Sequence, residues 1–266
     1  MITGDSPLTA KAVAEELGIL RVSQRIMTGD ELDTFSDEAF LQIVNDIAVY
    51  ARVTPKHKLR VVKALQDKGE IVAMTGDGVN DAPALKKADI GVAMGKCGTE
   101  VAKDASEMVI KDDNFATIVS AVREGRTIYS NIQKFIYYLL PGNFSGVMLI
   151  LIATLAGFFP PLTPLMILFV NLVTSDIPAL GLAFEKPDKH IMQQKPRHPK
   201  EPILSPYILL KISQVVPIMF LGTLLLYMWE FNYAYADLAT ARTVAFVSVI
   251  LFTLFHSLNA KSFNKS

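Results

Sequence analysis

Forty-one consecutive residues, from Phe135 to Ser175, contain no charged side chain. A helix needs about 20 apolar residues to cross a bilayer, so this stretch is long enough for two crossings. Two more uncharged runs follow at Ile212–Trp229 and Thr243–Ala260. Most of the charge in the chain lies at or before Lys134. The sequence therefore predicts a soluble region followed by an all-α transmembrane bundle of four helices.

The charge of the connecting segments predicts the topology of these four spans, which we place near residues 135–157, 163–183, 208–229 and 241–259. The linker at residues 185–205 is rich in lysine and arginine, which favours the cytoplasmic side. We therefore expect a multi-pass integral membrane protein whose soluble domain and both termini are cytoplasmic. The single cysteine, Cys97, cannot form an intrachain disulfide, which fits a cytosolic domain.

The stretch Thr75–Leu85 combines a glycine-rich turn with three oxygen-bearing side chains. It follows an apolar run at residues 70–74 that predicts a short buried parallel strand. Asp77, Asn80 and Asp81 therefore lie just past the carboxyl end of a strand, where open α/β sheets bind their ligands. Clustered hard oxygen ligands suit Mg²⁺. An ordinary Asp/Gly/Asn turn without a ligand is the alternative interpretation.

Short strands and helices alternate through the soluble region. We predict strands at residues 48–53, 70–74, 89–93 and 108–110, and helices at residues 9–17, 82–88 and 100–105. This alternation indicates a parallel sheet with helices on both faces. The predicted domains are an α/β domain at residues 1–113, a stalk helix at 114–134 and a transmembrane domain at 135–266.

Two further segments of the soluble region could bind phosphate. A turn formed by Thr3, Gly4 and Asp5 leads into the first predicted helix, and backbone amides at a helix entry are good phosphate donors. A capped helix start without a ligand is the alternative. Lys58 lies in the first turn of a helix that begins near Pro55. By spacing alone, Lys58 is an ordinary solvated lysine.

The first two spans contain polar residues at places where proline interrupts the helix. Pro141 leaves the Tyr137 carbonyl without its helical donor, and Pro178 does the same for the Thr174 carbonyl. A carboxylate inside a membrane costs roughly 2.5 kcal/mol or more, so we expect Asp176 to face the interior of the bundle with a partner. Together with the freed carbonyls, four side chains could form an all-oxygen cation site: Asn143, Asn171, Thr174 and Asp176. A purely structural hydrogen bond from Asp176 is the alternative.

These motifs, in this order, resemble those of P-type cation-transporting ATPases of the calcium-pump-like subfamily. The resemblance runs from Met1 to Glu185 and more weakly beyond, and it implies a partial haloacid-dehalogenase-like phosphorylation domain. It implies that Asp77 holds Mg²⁺, while Asn80 and Asp81 order the loop and the surroundings of the attacking water. The same resemblance implies that Lys58 and the Thr3–Asp5 turn stabilise the phosphoryl group. The cofactors are then Mg²⁺ and, in the complete pump, ATP.

The chain also departs from that family pattern. The Asp-Lys-Thr-Gly-Thr string that carries the phosphate-accepting aspartate does not occur in the 266 residues. In the family this string and the nucleotide-binding domain lie upstream, so we expect a C-terminal fragment that needs the N-terminal portion of a pump as its partner. Phosphoryl transfer requires a nucleophile together with the lysine and the metal site. Whether this chain is itself an enzyme therefore stays open.

The transported cation is not specified by the resemblance. The family's aspartate would fall at Ser175, whereas here the acid is one residue later, at Asp176, which rotates the side chain by ~100° on an intact helix. Asp176 can substitute only if Pro178 has locally unwound the turn. Gly146 and Thr253 stand where two-site calcium pumps have acidic residues. These positions disfavour a two-calcium pump and leave open a one-site carrier of Ca²⁺, Mn²⁺, Na⁺ or another small cation.

Two other functions compete with a pump portion. One is a catalytically dead membrane module that binds or regulates an intact pump. The other is a membrane-anchored phosphatase of the dehalogenase type, which the missing nucleophile disfavours. In each case the lipid bilayer is a partner, and no nucleic acid is expected.

Overall fold

The computed structural model describes residues 1–21, 23–198, 201–232 and 237–262. The chain forms two compact units, Met1–Val119 and Ser120–Ser266. Each has its own buried apolar clusters.

The first unit has the predicted alternation of helices and strands. Its elements follow one another as α1 (Pro7–Glu16), β1 (Arg25–Thr28), α2 (Gly29–Asp33), α3 (Asp37–Ile43), β2 (Ile47–Ala51), α4 (Pro55–Asp67), β3 (Ala73–Gly76), α5 (Ala82–Lys87), β4 (Ile90–Met94), α6 (Glu100–Asp104) and β5 (Met108–Ile110).

All strand pairs in the first unit are parallel, which confirms the predicted α/β architecture. In the described residues they form two sheets, one with the order β1–β2 and one with the order β3–β4–β5. Ile2 adds a further parallel bridge to Tyr50 of β2. The two sheets are not hydrogen-bonded to each other in the part of the chain that the structure describes.

Helix α4 contributes to the cores of both sheets. Thr54 caps its N-terminus by accepting a hydrogen bond from the His57 N–H, and Pro55 occupies its first turn. Val61 and Ala64 pack into the core next to β1 and β2. Val62 packs into the core next to β3 and β4. The first turn of α4, which contains Lys58, is therefore held on a well-anchored helix.

The strand predicted at residues 70–74 begins three residues later than expected. Ile71 is 56% exposed rather than buried. Val72 lies in the connection before β3, where its N–H donates to the Asp89 carboxylate at 2.9 Å and its carbonyl accepts from Asp89 and Ile90. An apolar run indicates a strand but not its register, and here a side-chain acceptor takes the Val72 N–H. Thr75 and Gly76 consequently belong to the strand and not to the loop.

The remaining elements are helical. They are α7 (Phe115–Leu155), α8 (Pro164–Phe169), a π-helical turn (Val170–Ser175), α9 (Asp176–Ala183), α10 (Pro206–Asn232) and α11 (Leu238–Lys261). Among the described residues, four helical stretches are long and apolar enough to cross a membrane: Phe115–Leu155, Pro164–Ala183, Pro206–Asn232 and Leu238–Lys261. These confirm the expected four long apolar helices.

Small residues let the helices of the second unit pack closely. Ala179 and Ala260 lie in one apolar cluster, and Ala241 and Ala245 lie in another. A Cβ atom at Gly222 of α10 would lie 2.6 Å from the ring of Phe252 of α11. Close approach over small side chains is the usual packing mode of helices in membranes.

The segment after α9 is attached to α7 by polar contacts. The Lys134 ammonium forms an ion pair with Glu185 at 2.9 Å, and the Asn131 amide donates to the carbonyls of Ala183 and Glu185. Arg126 donates to the Ile191 carbonyl further along the same linker. These contacts tie the predicted stalk region of α7 to the linker between the second and third spans.

Candidate functional site

The loop that contains Asp77 is anchored through its backbone. It leaves β3 at Gly76, forms a 3₁₀ turn at Val79–Asp81 and enters α5. The Asp77 carbonyl accepts a hydrogen bond from the Thr99 N–H at 2.8 Å. The Asp77 side chain is exposed, and none of the described residues donates a hydrogen bond to its carboxylate. A fixed backbone with a free carboxylate suits a ligand that arrives from solution.

Lys58 and Asp81 are brought together, although 23 residues separate them. The Lys58 ammonium donates to Asp81 Oδ1 at 2.5 Å, and Asp81 is only 6% exposed. Gly76 makes room for this carboxylate, because a Cβ at that position would lie 2.6 Å from Asp81 Cβ. A charge-assisted bond between largely buried groups holds the Asp77 loop against α4. Asn80, the third predicted member of the cluster, has an exposed side chain.

The turn Thr3–Asp5 lies beside the end of β2. The Thr3 N–H donates to the Tyr50 carbonyl at 2.9 Å, and the Arg52 N–H donates to the Asp5 carbonyl at 3.0 Å. The Thr3 hydroxyl donates to the Asp5 carboxylate at 2.9 Å and also accepts from the Asp5 N–H. The turn is therefore closed on itself, with Gly4 exposed at its tip. Helix α1 begins at Pro7 with Ser6 as its cap, two residues before the predicted start.

These residues fit a shared Mg²⁺ site better than a protein cage. Within the part of the chain that the structure describes, no three His, Cys, Asp or Glu side chains converge as a metal cluster. Mg²⁺ usually takes one or two protein carboxylates, several waters and substrate phosphate oxygens. Asp77 offers such a carboxylate, whereas Asp81 is engaged by Lys58. The donor set is therefore compatible with Mg²⁺ held jointly by Asp77 and a phosphate.

A cavity of about 530 Å³ separates the two sheets of the first unit. Met1, Ile2 and Tyr50 line it from the sheet that contains β2, and Ala73–Thr75 line it from β3. Among the described residues, β3 pairs only with β4, and Ile2 pairs only with Tyr50. On the side that faces the cavity, β3 and the segment at Ile2 therefore both have backbone N–H and C=O groups that pair with no described strand. Both segments also lead into Thr-Gly-Asp sequences, Thr3–Asp5 and Thr75–Asp77, while the third such sequence of the chain, Thr28–Asp30, follows β1.

In the second unit, both proline-freed carbonyls already accept hydrogen bonds. The Tyr138 hydroxyl donates to the Thr174 carbonyl at 3.0 Å. His256 Nε2 lies 3.0 Å from the Tyr137 carbonyl, and because a carbonyl can only accept, Nε2 carries the proton. His256 is 3% exposed, and its Nδ1 has no partner. The expectation that these two carbonyls are open to a cation is therefore wrong for this structure.

The π-helical turn changes the position of Asp176 on its helix. The Asp176 N–H donates to the Asn171 carbonyl, five residues earlier, instead of the usual four. One extra residue in the turn moves every following side chain back by one helical position. Asp176 thus takes the face that Ser175 would have on an uninterrupted helix. Unwinding was expected at Pro178, but the irregular turn lies before Asp176.

Three of the four predicted cation ligands are exposed in the second unit. Thr174 is 5% exposed, whereas Asn143, Asn171 and Asp176 are exposed, and no described residue hydrogen-bonds to the side chains of those three. The expectation that Asp176 faces the interior of this bundle is therefore wrong. Aromatic and small apolar side chains, among them Tyr138 and Ala179, already fill the interior near it.

Three residues that the sequence reasoning missed have prominent contacts. Tyr138 and His256 donate to the proline-freed carbonyls, and Asp113 accepts three backbone hydrogen bonds. The two prolines mark the acceptors, but donors 36 and 119 residues away leave no pattern in the sequence. Asp113 looks like an ordinary helix-start residue, and only its positive φ of 55° marks it.

Comparison with known proteins agrees with both halves of this architecture. The family described as haloacid dehalogenase-like hydrolase matches residues 1–89, and the family described as Cation transporting ATPase, C-terminus, matches residues 159–266.

Several curated proteins resemble nearly the whole chain. It is 48% identical over 262 residues to the "Calcium-transporting ATPase" of Bacillus subtilis, which covers 98% of this chain. It is 46% identical to the "Cation-transporting ATPase pma1" of Synechocystis and 41% identical to the human "Calcium-transporting ATPase type 2C member 1", and both matches cover 100% of this chain. The chain spans 29% of the length of each of these three relatives.

The parallel α/β unit, the Asp77 loop and the four apolar helices, taken with these matches, place the chain in the family of P-type cation-transporting ATPases. Within that family it groups with the calcium-transporting subfamily. It is thus an integral membrane protein and part of a larger ATPase.

Proposed function

We propose that this chain supplies three parts of an ATP-driven cation pump: the Mg²⁺-binding loop, the lysine that neutralises the phosphoryl group and part of the membrane cation site. By itself it does not catalyse phosphoryl transfer, because the 266 residues contain no Asp-Lys-Thr-Gly-Thr nucleophile motif. The observation that carries this proposal is the cavity between two backbone segments. One is the segment at Ile2, which pairs with β2, and the other is β3.

This cavity fits a missing strand. A parallel strand inserted there could hydrogen-bond to Met1–Thr3 on one side and to β3 on the other, joining the two sheets into one. The lining is largely apolar, as a central parallel strand requires. The two segments that flank the cavity, at Ile2 and β3, lead into the Thr-Gly-Asp sequences Thr3–Asp5 and Thr75–Asp77. The carboxyl end of a parallel strand inserted between them would therefore lie near Thr3 and Asp77. An aspartate that follows such a strand would stand next to both turns.

Each residue of the first unit then has a role in the assembled site. The Asp77 carboxylate would hold Mg²⁺, which would supply positive charge to stabilise the transferred phosphoryl group. The Lys58 ammonium shares its charge between Asp81 and a phosphoryl oxygen, and Asp81 holds the lysine in place. The Thr3 hydroxyl and the Gly4 and Asp5 amides donate to phosphoryl oxygens once the turn opens from its internal bonds. Asn80 orders the approach of the attacking water.

The exposed polar residues of the spans form one half of the cation site. An exposed carboxylate on a membrane helix needs a partner, and none of the described residues provides one for Asp176. We propose that further spans of the pump cover Asn143, Asn171, Thr174 and Asp176, and that the π-helical turn directs Asp176 to the family's aspartate position. Ca²⁺ is the first candidate cargo because of the relatives' names, with Mn²⁺ or Na⁺ as alternatives.

The direct test is reconstitution from two parts. The chain is purified alone and also co-expressed with the N-terminal portion of the Bacillus subtilis relative, which supplies the nucleophile motif. We expect no acid-stable phosphoenzyme from ATP with the chain alone and a clear signal with both parts. Phosphorylation of the isolated chain, or none from the combination when both parts copurify, would refute the proposal. If the chain instead copurifies with an intact pump and alters its turnover, it is a regulator.

The membrane part is tested separately by Asp176→Asn in the reconstituted pump. We expect the cation concentration for half-maximal ATPase activity to rise at least about tenfold, as for the loss of a charged ligand. Asn143→Ala is a matched variant that removes a neutral candidate ligand and should have a smaller effect. Unchanged cation dependence in Asp176→Asn would exclude Asp176 from the site.

A further inference from the structure

Asp113 accepts three hydrogen bonds from one loop. Its Oδ1 accepts from the N–H groups of Gly95 at 2.6 Å and Lys96 at 2.9 Å, and its Oδ2 accepts from the Cys97 N–H at 2.8 Å. The loop follows β4, whereas Asp113 lies two residues before α7. The carboxylate therefore joins the end of a sheet strand to the start of the long helix.

The backbone around this contact is constrained on both sides. Asp113 adopts a φ of 55°, a left-handed conformation that a non-glycine residue keeps only where its surroundings require it. In the loop, a Cβ at Gly98 would lie 2.0 Å from the Met94 carbonyl oxygen, and one at Gly95 would lie 2.7 Å from the Ile110 carbonyl oxygen. Neither position tolerates a side chain without a shift of the backbone. The hydrogen bonds, led by that from Lys96, lower the pKa of Asp113 to about 2, so it stays ionised.

The other end of the same loop contacts the candidate magnesium residue. Thr99, two residues after Cys97, donates its N–H to the Asp77 carbonyl at 2.8 Å and also caps α6. Asp113 is therefore linked to the backbone of Asp77 by hydrogen bonds at both ends of residues 95–99, which are joined by the covalent backbone between Cys97 and Thr99. All of these residues lie within the first unit.

We propose that Asp113 is a positioning residue for the Mg²⁺ loop. It holds residues 95–97 in place, Thr99 then fixes the backbone of Asp77, and the placement of the Asp77 carboxylate comes to depend on the first turn of α7. A shift of that turn moves the loop and alters how Asp77 meets its metal. This inference rests on the proposed function, since it takes Asp77 as the metal ligand.

The test compares Asp113→Asn with Asp112→Asn. The Asp112 carboxylate accepts hydrogen bonds from the Asn114 N–H and the Thr117 hydroxyl and interacts with Lys96 only through charge, so its loss removes the same charge without removing a hydrogen bond to residues 95–97. Two quantities are measured. One is hydrogen exchange at residues 95–99 in the full chain in nanodiscs. The other is the Mg²⁺ concentration for half-maximal phosphoenzyme formation in the reconstituted pump.

For Asp113→Asn we expect faster exchange at residues 95–99 and a roughly tenfold higher Mg²⁺ requirement, the usual effect of losing a group that orients a metal ligand. The maximal phosphoenzyme level at saturating Mg²⁺ should be retained, and Asp113→Glu should restore part of the Mg²⁺ response. Asp112→Asn should leave both quantities unchanged. If Asp113→Asn does not fold, Asp113→Glu provides the same measurements with a displaced carboxylate.

The outcomes separate this inference from the proposed function. An unchanged Mg²⁺ requirement in Asp113→Asn, while Asp77→Asn abolishes phosphorylation, would overturn the positioning role and leave the proposed function intact. An equal change of the Mg²⁺ requirement in Asp112→Asn would show that the effect comes from the loss of negative charge in general, and would also overturn the positioning role. If Asp77→Asn leaves phosphorylation unchanged, Asp77 is not the metal ligand, and both the proposed function and the positioning role of Asp113 are overturned.

Discussion

The first unit brings two of its candidate residues into contact, whereas three of the four candidate cation ligands of the second unit are exposed. Lys58 and Asp81 form an ion pair, and the Asp77 backbone is fixed by Thr99. In contrast, Asn143 and Asp176 lie on separate helices, and their exposed side chains form no hydrogen bond with any described residue. Two buried polar contacts of the second unit, from Tyr138 and His256, supply donors to the carbonyls that Pro178 and Pro141 leave without a helical partner.

The difference follows from how the two kinds of site are built. In a parallel α/β fold, the loops at the carboxyl ends of neighbouring strands are adjacent by construction, and their backbones are already hydrogen-bonded. A site between membrane helices depends on every helix that surrounds it. When only some of the surrounding helices are present, the ligand side chains on them can be exposed even though those helices are fully formed. The following predictions test this contrast, from the largest expected effect to the smallest.

The largest effect is expected for Asp77→Asn in the reconstituted pump. Loss of the free carboxylate should lower phosphoenzyme formation at least about 100-fold, as observed when a preorganised electrostatic group is removed from an active site. Phosphorylation with ³²P-labelled ATP measures it. Asp104→Asn, which removes another exposed carboxylate of the first unit, serves as the control. A loss below tenfold in Asp77→Asn would mean that the loop is structural.

Removing Lys58 should destabilise the first unit. Lys58→Met leaves the buried Asp81 carboxylate unpaired, which we expect to cost about 3 kcal/mol. Hydrogen exchange at residues 73–87 in the full chain measures the opening free energy. Lys58→Met combined with Asp81→Asn should recover most of the loss, because no buried charge is then left alone. Equal destabilisation in the single and double variants would show that the ion pair is not what holds the loop.

Removal of the hydrogen-bond donor of Tyr138 or of His256 should lower the free energy of unfolding by a smaller amount. Tyr138→Phe and His256→Phe each leave a proline-freed carbonyl without its donor, which should cost about 1 kcal/mol per variant. Unfolding in mixed detergent micelles measures the change in free energy. His256→Gln keeps a donor of similar reach and should be closer to wild type. A His256→Gln variant as unstable as His256→Phe would show that shape, and not the hydrogen bond, matters.

The smallest effect is a pH dependence from Asp113. Its folded pKa of about 2 lies below the unfolded value near 4, so its contribution to stability is complete above about pH 4 and is lost as the pH falls towards 2. Hydrogen exchange at residues 95–99 should therefore become relatively faster in that window. Asp113→Asn should abolish this part of the pH dependence. If the variant follows the wild-type profile, the carboxylate does not hold the loop.

Much of the soluble fold was predictable, and the errors are instructive. Alternation of apolar runs with turn residues predicts four of the five described strands, because burial on both faces leaves a clear pattern, but β1, α2 and α3 were not predicted. The start of β3 was missed because Asp89 binds the Val72 N–H from a distant turn. The Lys58–Asp81 pair could not be predicted by spacing, since a lysine and an aspartate 23 residues apart meet only through the packing of α4 against the loop.

The sequence by itself determined the classes of structure in this protein. Long uncharged runs require membrane helices, alternating short runs require a parallel sheet, and clustered oxygen ligands after Met74 indicate a Mg²⁺ loop. Only the tertiary structure decided which groups are engaged and which are free. In that structure Tyr138 and His256 donate hydrogen bonds to the carbonyls that the prolines leave free. Asp176 follows a π-helical turn and is exposed, and a cavity large enough for a strand lies beside β3. The physical reason is that hydrogen bonds and burial depend on contacts between distant segments, whereas periodicity is local.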